Sequence, residues 1–266
     1  MEFTTLQIGI EKNVARVALN RPDVRNALNA VMIRELTEAI DWLDAREDIH
    51  VIEICGNGKS FCAGADLNYM KDIAKYGFAQ NLDDANKLSK LFKTIYFCNT
   101  PVIALVHGHV IGGGNGIIAA CDVVLAENDT VFAFSEVKLG LTPATISPFV
   151  IARCGETMAR DTMLSGETMA RDTMLSGRKF TAQEALNFNL VNYVGSMEEL
   201  NKRLDFYTES YLSASPAAIR DCKQLIRSVA GHDDPYSGVF DMTSALIANE
   251  RMGADAQERM KKFFEK

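Results

Sequence analysis

The sequence lacks several features that would mark a specialised class of protein. Its six cysteines include no Cys-x-x-Cys pair, and its lysines and arginines form no block within a net charge of −7. We therefore expect reduced, mostly buried cysteines and no nucleic-acid partner. The most apolar stretch, roughly 102–126, is broken by two histidines, a glycine run, Asn115 and Asp122. No membrane span is predicted, and hence no membrane partner.

The amino-terminal residues also lack a basic segment that leads into an apolar run, so no secretory signal is predicted. Apolar residues make up 47% of the 266 residues and charged residues 24%, which is ordinary for a globular protein. Together with the scattered cysteines, these features predict a cytoplasmic protein.

Alternating and apolar segments predict an α/β fold. Residues 3–9 and 14–19 alternate around a polar turn, which is typical of a hairpin. A helix is predicted from Asn29, because Met32, Leu36, Ile40 and Leu43 fall on one stripe. Apolar strands are predicted at 51–56, 101–108 and 122–126. Strands that alternate with helices favour a largely parallel sheet.

The pattern changes near residue 180, after which only helices are predicted. The helical segments are 181–189, 197–214, 215–230, 235–250 and 254–265. Ser215 and Pro216 fit an N-cap followed by proline at the first helical position. We therefore divide the chain into a core with the functional site at 1–195 and a helical region at 196–266.

An eleven-residue segment, GETMARDTMLS, occurs twice without change, at 155–165 and 166–176. Eleven residues are about three α-helical turns, so an insertion of this length nearly preserves the helical phase. The repeat is either a functionally lengthened helix or a recent duplication without a function of its own.

Two glycine-containing loops follow predicted strands and contain the candidate functional groups. They are SFCAGADL at 60–67 and HGHVIGGGNGIIAACD at 107–122. Where a strand turns into a helix, backbone N–H groups have no internal partner and meet the positive end of the helix dipole. Two such groups that converge could hold the oxygen of an enolate. GGGNG alone could also be a plain turn, but it lacks the spacing and the lysine of a phosphate loop.

These loops, the opening ALNRPDVRNALN and the segment FAFSEVKLGLTP resemble the crotonase (enoyl-CoA hydratase/isomerase) family along nearly the whole chain. The resemblance implies a spiral of ββα turns followed by a helical trimerisation region, assembled as a homo-trimer or hexamer. It implies an acyl-CoA thioester as the substrate. Coenzyme A is then part of the substrate, and no separate cofactor is expected.

The resemblance also implies roles for individual residues. The amides of Ala65 and Gly113 would form the oxyanion hole, and Glu136 would transfer the proton. A glutamate beside an apolar pocket has its pKa raised by desolvation, which suits this task. The remaining positions would contact the substrate: Arg25, Ala63, Asp66, Leu67, Gly112, Asn115 and Gly116. Arg25 could equally be a solvated turn residue.

One departure from the family pattern limits the set of reactions that the resemblance implies. Family hydratases commonly have a second glutamate at the position of Gly116 here. The favoured function is hydration of a 2-enoyl-CoA, with methylglutaconyl-CoA as one candidate, because SEVKLGLTPATISPFV is similar to bacterial hydratases of such esters. The alternatives are a Δ3,Δ2-enoyl-CoA isomerase, a catalytically silent acyl-CoA-binding paralogue and, less favoured, a polyketide-type decarboxylase.

Other side chains in and near these motifs are candidates for contact with a substrate or a metal. A substrate with a terminal carboxylate would need a cation, for which Lys71 and Lys138 are the nearest candidates in sequence. Tyr69 could orient a substrate or fill the groove wall. No metal site is predicted, because His107 and His109 have no evident third ligand.

Overall fold

The structure is a computed structural model that describes residues 2–156, 170–229 and 237–265. Its strands are Leu6–Glu11 (β1), Val14–Leu19 (β2), Val51–Gly56 (β3), Val102–Val106 (β4), His109–Ile111 (β5), Val123–Glu127 (β6), Val131–Ala133 (β7), Lys179–Thr181 (β8) and Tyr193–Gly195 (β9). Its helices are Ala30–Asp44 (α1), Leu67–Ile73 (α2), Phe78–Phe97 (α3), Gly113–Ala120 (α4), Ser147–Glu156 (α5), Ala182–Asn187 (α6), Met197–Leu212 (α7), Pro216–Val229 (α8), Ser237–Met252 (α9) and Ala254–Phe264 (α10). None of these helices is long and apolar enough to cross a membrane.

The larger of the two sheets has six strands in the order β1-β2-β3-β4-β6-β9. The pair β1 and β2 is antiparallel, and the other neighbours are parallel. The hairpin turns at Lys12 and Asn13, whose φ angles of 48° and 68° suit a two-residue turn between twisted strands. The predicted hairpin and largely parallel sheet are confirmed.

The smaller sheet was not predicted from the sequence. It has the order β5-β7-β8, with three residues in each strand. Strands this short show no readable alternation, since a period of two needs at least four residues to be recognised. The sheet matters for function because β5 lies within the second glycine-containing segment and pairs with β7.

The helices of the core bury the stripes that the sequence predicts. In α1, Met32, Leu36, Ile40 and Leu43 are all fully buried, and the side chain of Asn29 caps the helix by accepting from the Met32 amide over 2.9 Å. In α4, every residue from 114 to 120 is buried. A helix that is apolar all round belongs inside a protein. Its first residues therefore reach the site from within the core.

The carboxy-terminal helices α7–α10 agree with the predicted helical region, with one correction. The strand β9 lies between two of the predicted helices and pairs with β6. Its three residues were overlooked for the same reason as the small sheet. All described strands lie before residue 196, while the division into two domains stays a prediction.

The described residues include only the two ends of the exact repeat at 155–176. Helix α5 ends at Glu156, and a π-helical turn covers Ala170–Met174. Residues 157–169, on which the prediction of a lengthened helix depends, lie outside the described residues.

Candidate active site

Two loops that follow neighbouring parallel strands lie side by side at the carboxyl end of the large sheet. The first covers residues 57–66 after β3, and the second covers residues 107–112 after β4 and includes the short strand β5. The amide of Cys62 donates to the carbonyl of His109 over 3.0 Å, and the amide of Ile111 donates to the carbonyl of Cys62, also over 3.0 Å. These hydrogen bonds bring the two glycine-containing loops together as predicted.

Two glycines with positive φ angles lie at the ends of these two loops. The φ angle is 98° at Gly64 and 50° at Gly112. A Cβ atom on Gly112 would lie 3.1 Å from Oε1 of Glu136 and 4.0 Å from Cα of Gly64. Glycine is required at Gly112 both for the backbone angle and for the close approach of the carboxyl group.

The two predicted oxyanion donors directly follow these glycines. In the described part of the chain, neither the Ala65 amide nor the Gly113 amide donates a hydrogen bond. Gly113 begins α4, where the first N–H groups have no intrahelical partner and the helix dipole adds positive potential. The backbone of Leu28 forms hydrogen bonds to both peptide groups that flank the Cα atom of Ala65. Its amide donates to the carbonyl of Gly64, and its carbonyl accepts from the amide of Asp66. The Ala65 amide is thereby held in place while its proton stays available.

Both donors line one cavity of about 600 Å³. A volume of this order is typical of small-molecule sites. The cavity also contains most of the other predicted residues: Arg25, Ala63, Asp66, Leu67, Gly112 and Glu136. Residues more than a hundred positions apart in the chain therefore meet in one place.

Glu136 begins a short 3-10 turn, Glu136–Leu139, after β7. The residue as a whole is partly exposed, but its Oε2 atom is buried and has no hydrogen-bond partner in the described part of the chain. Desolvation raises the pKa of Glu136 to about 7, against a hydrogen bond from its own backbone that lowers it. A carboxyl group poised near neutral pH can both accept and return a proton.

Asp66 has a structural role at the cavity rim. Its Oδ1 atom accepts from the amides of Asn68 and Tyr69 at the start of α2, and Arg21 donates to its Oδ2 atom over 2.8 Å. Burial alone would raise the pKa of Asp66, but these hydrogen bonds outweigh it and the pKa is lowered. Asp66 is a capping residue that orients α2 beside the Ala65 amide.

Two predicted substrate-binding residues, Asn115 and Gly116, lie behind the cavity wall. Asn115 is fully buried, and its side-chain amide donates to the carbonyls of Val110 and Ala133. It joins β5 to β7 and is not among the cavity-lining residues. We therefore revise the assignment of Asn115 to a residue that supports the site from within the core.

Gly116 is enclosed more tightly still. A Cβ atom there would lie 2.6 Å from Cζ of Phe92 and 2.6 Å from Cγ2 of Ile146. Apolar groups therefore fill the space into which a glutamate at this position would project. The assignment of Gly116 to substrate contact is revised for the same reason.

Gly116→Ala is expected to destabilise the fold by about 1–3 kcal/mol, because the added methyl overpacks a core that includes Phe92. Denaturant unfolding measures this loss. Gly9→Ala is the matched control, since a Cβ atom on Gly9 meets nothing within 4 Å. The control is expected to change stability by less than about 0.5 kcal/mol. Equal stability of the two variants would contradict the tight packing around Gly116.

Sequence reasoning missed two residues that hold the loops together. Arg21 donates to the carbonyl of Ala27 over 2.6 Å as well as to Asp66. The fully buried Asn26 accepts from the Arg21 amide and donates to the carbonyls of Asn57 and Ser60. Both lie in the segment RPDVRNALN, but nothing in their spacing indicates which loop they bind.

Two of the three other side chains considered for substrate contact lie at the cavity. Lys71 and Tyr69 line the cavity, whereas Lys138 is not among its lining residues.

The cysteines are free, as predicted, and all except Cys222 are buried. Burial raises the pKa of Cys62 to about 12, so this thiol beside the site is a poor nucleophile. Among the described residues, no three His, Cys, Asp or Glu side chains are grouped as metal ligands would be.

Known proteins resemble the chain along most of its length. Residues 9–266 match the family described as enoyl-CoA hydratase/isomerase. The chain is 32% identical to the short-chain-enoyl-CoA hydratase of Clostridium acetobutylicum, over 85% of this chain and 82% of that protein. It is 31% identical to the peroxisomal Δ(3,5)-Δ(2,4)-dienoyl-CoA isomerase of Arabidopsis thaliana, over 98% of this chain and 97% of that protein.

A solved structure extends the likeness to the fold. The crystal structure of an enoyl-CoA hydratase from Shewanella pealeana superposes with a TM-score of 0.80 at 34% identity, covering 99% of this chain and 94% of that one. The predicted crotonase fold is thereby confirmed. The chain belongs to the enoyl-CoA hydratase/isomerase family of crotonase enzymes.

Proposed function

We propose that the enzyme adds water to a 2-enoyl-CoA thioester. The observation that carries the proposal is the position of Glu136, whose Oε1 atom lies against Gly112, next to the Gly113 amide. The same cavity contains the amide of Ala65. A proton-transfer group and the two residues with unpaired N–H donors thus line one cavity.

The reaction follows from these groups. The thioester oxygen accepts hydrogen bonds from the Ala65 and Gly113 amides, which withdraw electrons from the C2–C3 double bond. The Glu136 carboxylate takes a proton from water while the water oxygen bonds to C3. The negative charge moves to the thioester oxygen, where the two amides stabilise it. Glu136 then returns the proton to C2, which gives a 3-hydroxyacyl-CoA and restores the carboxylate.

One carboxylate must perform both proton transfers in this scheme. Phe92 and Ile146 occupy the surroundings of Gly116, which supports a mechanism without a second glutamate at that place. Coenzyme A enters as part of the substrate, so the proposal needs no separate cofactor. Arg25 is exposed at the cavity and is suited to contact the phosphates of coenzyme A.

A Δ3,Δ2-enoyl-CoA isomerase is the second candidate. A single carboxylate suffices to move a proton between C2 and C4, and the relatives include a dienoyl-CoA isomerase. A catalytically silent acyl-CoA-binding protein would keep the cavity but would not need a glutamate with a raised pKa. We favour hydration with a branched or dicarboxylic acyl chain, of which methylglutaconyl-CoA is one example.

We also propose that the chain forms a homo-trimer or hexamer. Helix α8 contains no buried residue, and its large apolar side chains Leu225, Ile226 and Val229 are exposed. Contiguous apolar surface of this kind is commonly covered by a partner. Molar mass in solution, measured by light scattering, tests this proposal, and a monomer would contradict it.

The reaction is tested by following the absorbance of the conjugated thioester. Addition of water to a 2-enoyl-CoA removes this absorbance, whereas isomerisation of a 3-enoyl-CoA creates it. The proposal expects loss of absorbance with a panel of 2-enoyl-CoA esters and slower change with their 3-enoyl isomers. Faster reaction of the 3-enoyl esters would favour the isomerase, and no reaction with either set would favour the silent paralogue.

The pH profile of kcat/KM is expected to have an acidic limb near pH 7. Burial raises the pKa of Glu136 to about 7, and both reactions require the carboxylate. Activity should therefore rise as the pH rises through 7 and fall about tenfold per pH unit well below it. Initial rates in buffers from pH 5 to pH 9 measure the limb. An acidic limb centred near pH 4.5 would contradict the desolvated environment of Glu136.

A further inference from the structure

A buried polar cluster forms part of the cavity wall and has no role in the proton transfers. The hydroxyl of Tyr69 donates to Oδ1 of Asp84, and Nη1 of Arg251 donates to Oδ2 of Asp84 over 2.7 Å. The three residues come from α2, α3 and α9, and all of them line the cavity. We call this set the Arg251 cluster.

The guanidinium of this cluster has donor capacity left over. The side chains of Arg251 and Asp84 are only 9% and 10% exposed. Nε of Arg251 is buried and has no hydrogen-bond partner among the residues that the structure describes. A buried donor without a partner costs about 1–3 kcal/mol, and more when it belongs to a charged group. Nε itself is closed off from the cavity, so the donor left for a ligand oxygen is Nη2, which makes no hydrogen bond among the described residues and is not fully buried.

Most of the remaining wall is apolar and would suit a hydrocarbon chain. Ile73, Leu88, Ile247 and Met260 line the same cavity. If the acyl chain were hydrocarbon throughout, a buried ion pair here would add desolvation cost without serving the substrate. The Arg251 cluster is explained more simply if the acyl chain carries an oxygen atom that reaches it.

Hydrogen bonds to the backbone hold this part of α9 in place. Nε2 of Gln257 donates to the carbonyls of Arg251 and Ala74. The neighbouring Glu250 accepts from the amide of Thr142 over 2.7 Å and from its hydroxyl over 2.9 Å. Thr142 belongs to the loop that follows Glu136, so the Arg251 cluster is tied to the same loop as the proton-transfer group. A donor held in this way binds a ligand with little further loss of entropy.

The geometry points to Arg251 as a specificity-determining residue that binds an oxygen acceptor on the acyl chain, with a carboxylate as the preferred group. This inference rests on the proposed function, since it requires an acyl-CoA in the cavity. A carboxylate is preferred because a charge-assisted hydrogen bond is roughly twice as strong as a neutral one. The negative charge of Asp84 opposes this preference, but Tyr69 and Nη1 of Arg251 already bind both of its oxygens.

Binding of saturated acyl-CoA esters tests the inference separately from turnover. We expect calorimetry to give at least about tenfold tighter binding of glutaryl-CoA than of valeryl-CoA, which has the same chain length but no terminal oxygen. 5-Hydroxyvaleryl-CoA provides a neutral oxygen and should fall between them. Adipyl-CoA and hexanoyl-CoA repeat the comparison one carbon further from the thioester.

Two variants connect the preference to the guanidinium. In Arg251→Gln, and in the charge-neutral double variant Asp84→Asn with Arg251→Gln, the ratio of the two dissociation constants should approach one. A partial loss of folded protein does not change the ratio of the two dissociation constants, because both ligands are measured on the same sample. Arg259→Gln is the matched control on α10, since Arg259 is exposed, pairs with Asp255 and is not among the cavity-lining residues.

The possible outcomes separate the two proposals. Wild-type protein that binds both chains equally, or variants that keep the wild-type ratio, would overturn the inference even if 2-enoyl-CoA esters are hydrated. Conversely, a glutaryl preference lost in the Arg251 variants would uphold the inference, even if no ester is turned over and the proposed reaction fails.

Discussion

Glu136→Gln is expected to lower kcat for hydration by about 10²–10⁴-fold while the enzyme continues to bind acyl-CoA. Glutamine keeps the size of the side chain but cannot take a proton from water or return one to C2. No other carboxylate occupies the position of Gly116, so no second group should rescue the reaction. Initial rates with a 2-enoyl-CoA, together with calorimetric binding of a saturated ester, measure both properties.

The stability of the same variant provides an internal control. Burial raises the pKa of Glu136 from 4.5 to about 7, so between these values the folded protein binds a proton that the unfolded chain has lost. The contribution of Glu136 to wild-type stability therefore falls as the pH rises through this window. Glu136→Gln lacks that dependence and is expected to be more stable than the wild type by about 1–3 kcal/mol at pH 8. Below pH 4.5 this advantage should vanish. A variant that is less stable and also inactive would instead indicate a structural role for Glu136.

Removal of the Gly113 amide proton is expected to lower kcat by about 10²–10³-fold, the usual effect of one oxyanion donor. Gly113→Pro removes the proton at the first position of α4, where a helix tolerates proline. A Cβ atom at this place would lie 2.8 Å from Cδ1 of Leu28, so the substitution is made together with Leu28→Ala. Single-turnover rates with a 2-enoyl-CoA measure the chemical step.

The matched control is Gly113→Ala together with Leu28→Ala. It adds the same Cβ atom and the same space at residue 28 but keeps the amide proton. Comparison of the two double variants therefore measures the loss of the amide proton together with the proline ring that replaces it on the nitrogen. If both lose activity equally, the loss comes from altered packing, and the proposed role of the amide is incorrect.

The loops and the large sheet could be predicted because their signals are local. Glycines at 64 and 112 occupy strand-to-helix turns, and the strand β3 was predicted with its observed bounds at 51–56. The apolar residues of α1 recur every three to four positions, and only a helix places residues with this spacing on one face. In each of these cases, the residues that determine the structure lie within one short window of the chain.

The parts that were not predicted depend on contacts between distant segments. Arg251 lies 167 residues from Asp84, so neither its burial nor its place in the cavity wall can be read from its neighbours in the sequence. Nearness to the motifs points to Lys71 and Lys138 as partners for a substrate carboxylate, but only Lys71 lines the cavity. The family resemblance implies that Asn115 contacts the substrate, whereas its side-chain amide donates to carbonyls of β5 and β7.

The central claim is that two main-chain amides, those of Ala65 and Gly113, hydrogen-bond to the thioester oxygen. Infrared difference spectroscopy of bound butyryl-CoA labelled with ¹³C at the thioester carbonyl reports on these bonds directly, because hydrogen bonds to the oxygen lower the stretching frequency. The account predicts a lower frequency on the wild-type enzyme than in water, and a partial return toward the water value in the Gly113→Pro, Leu28→Ala variant but not in its alanine control. A bound carbonyl that absorbs at its frequency in water would contradict the account.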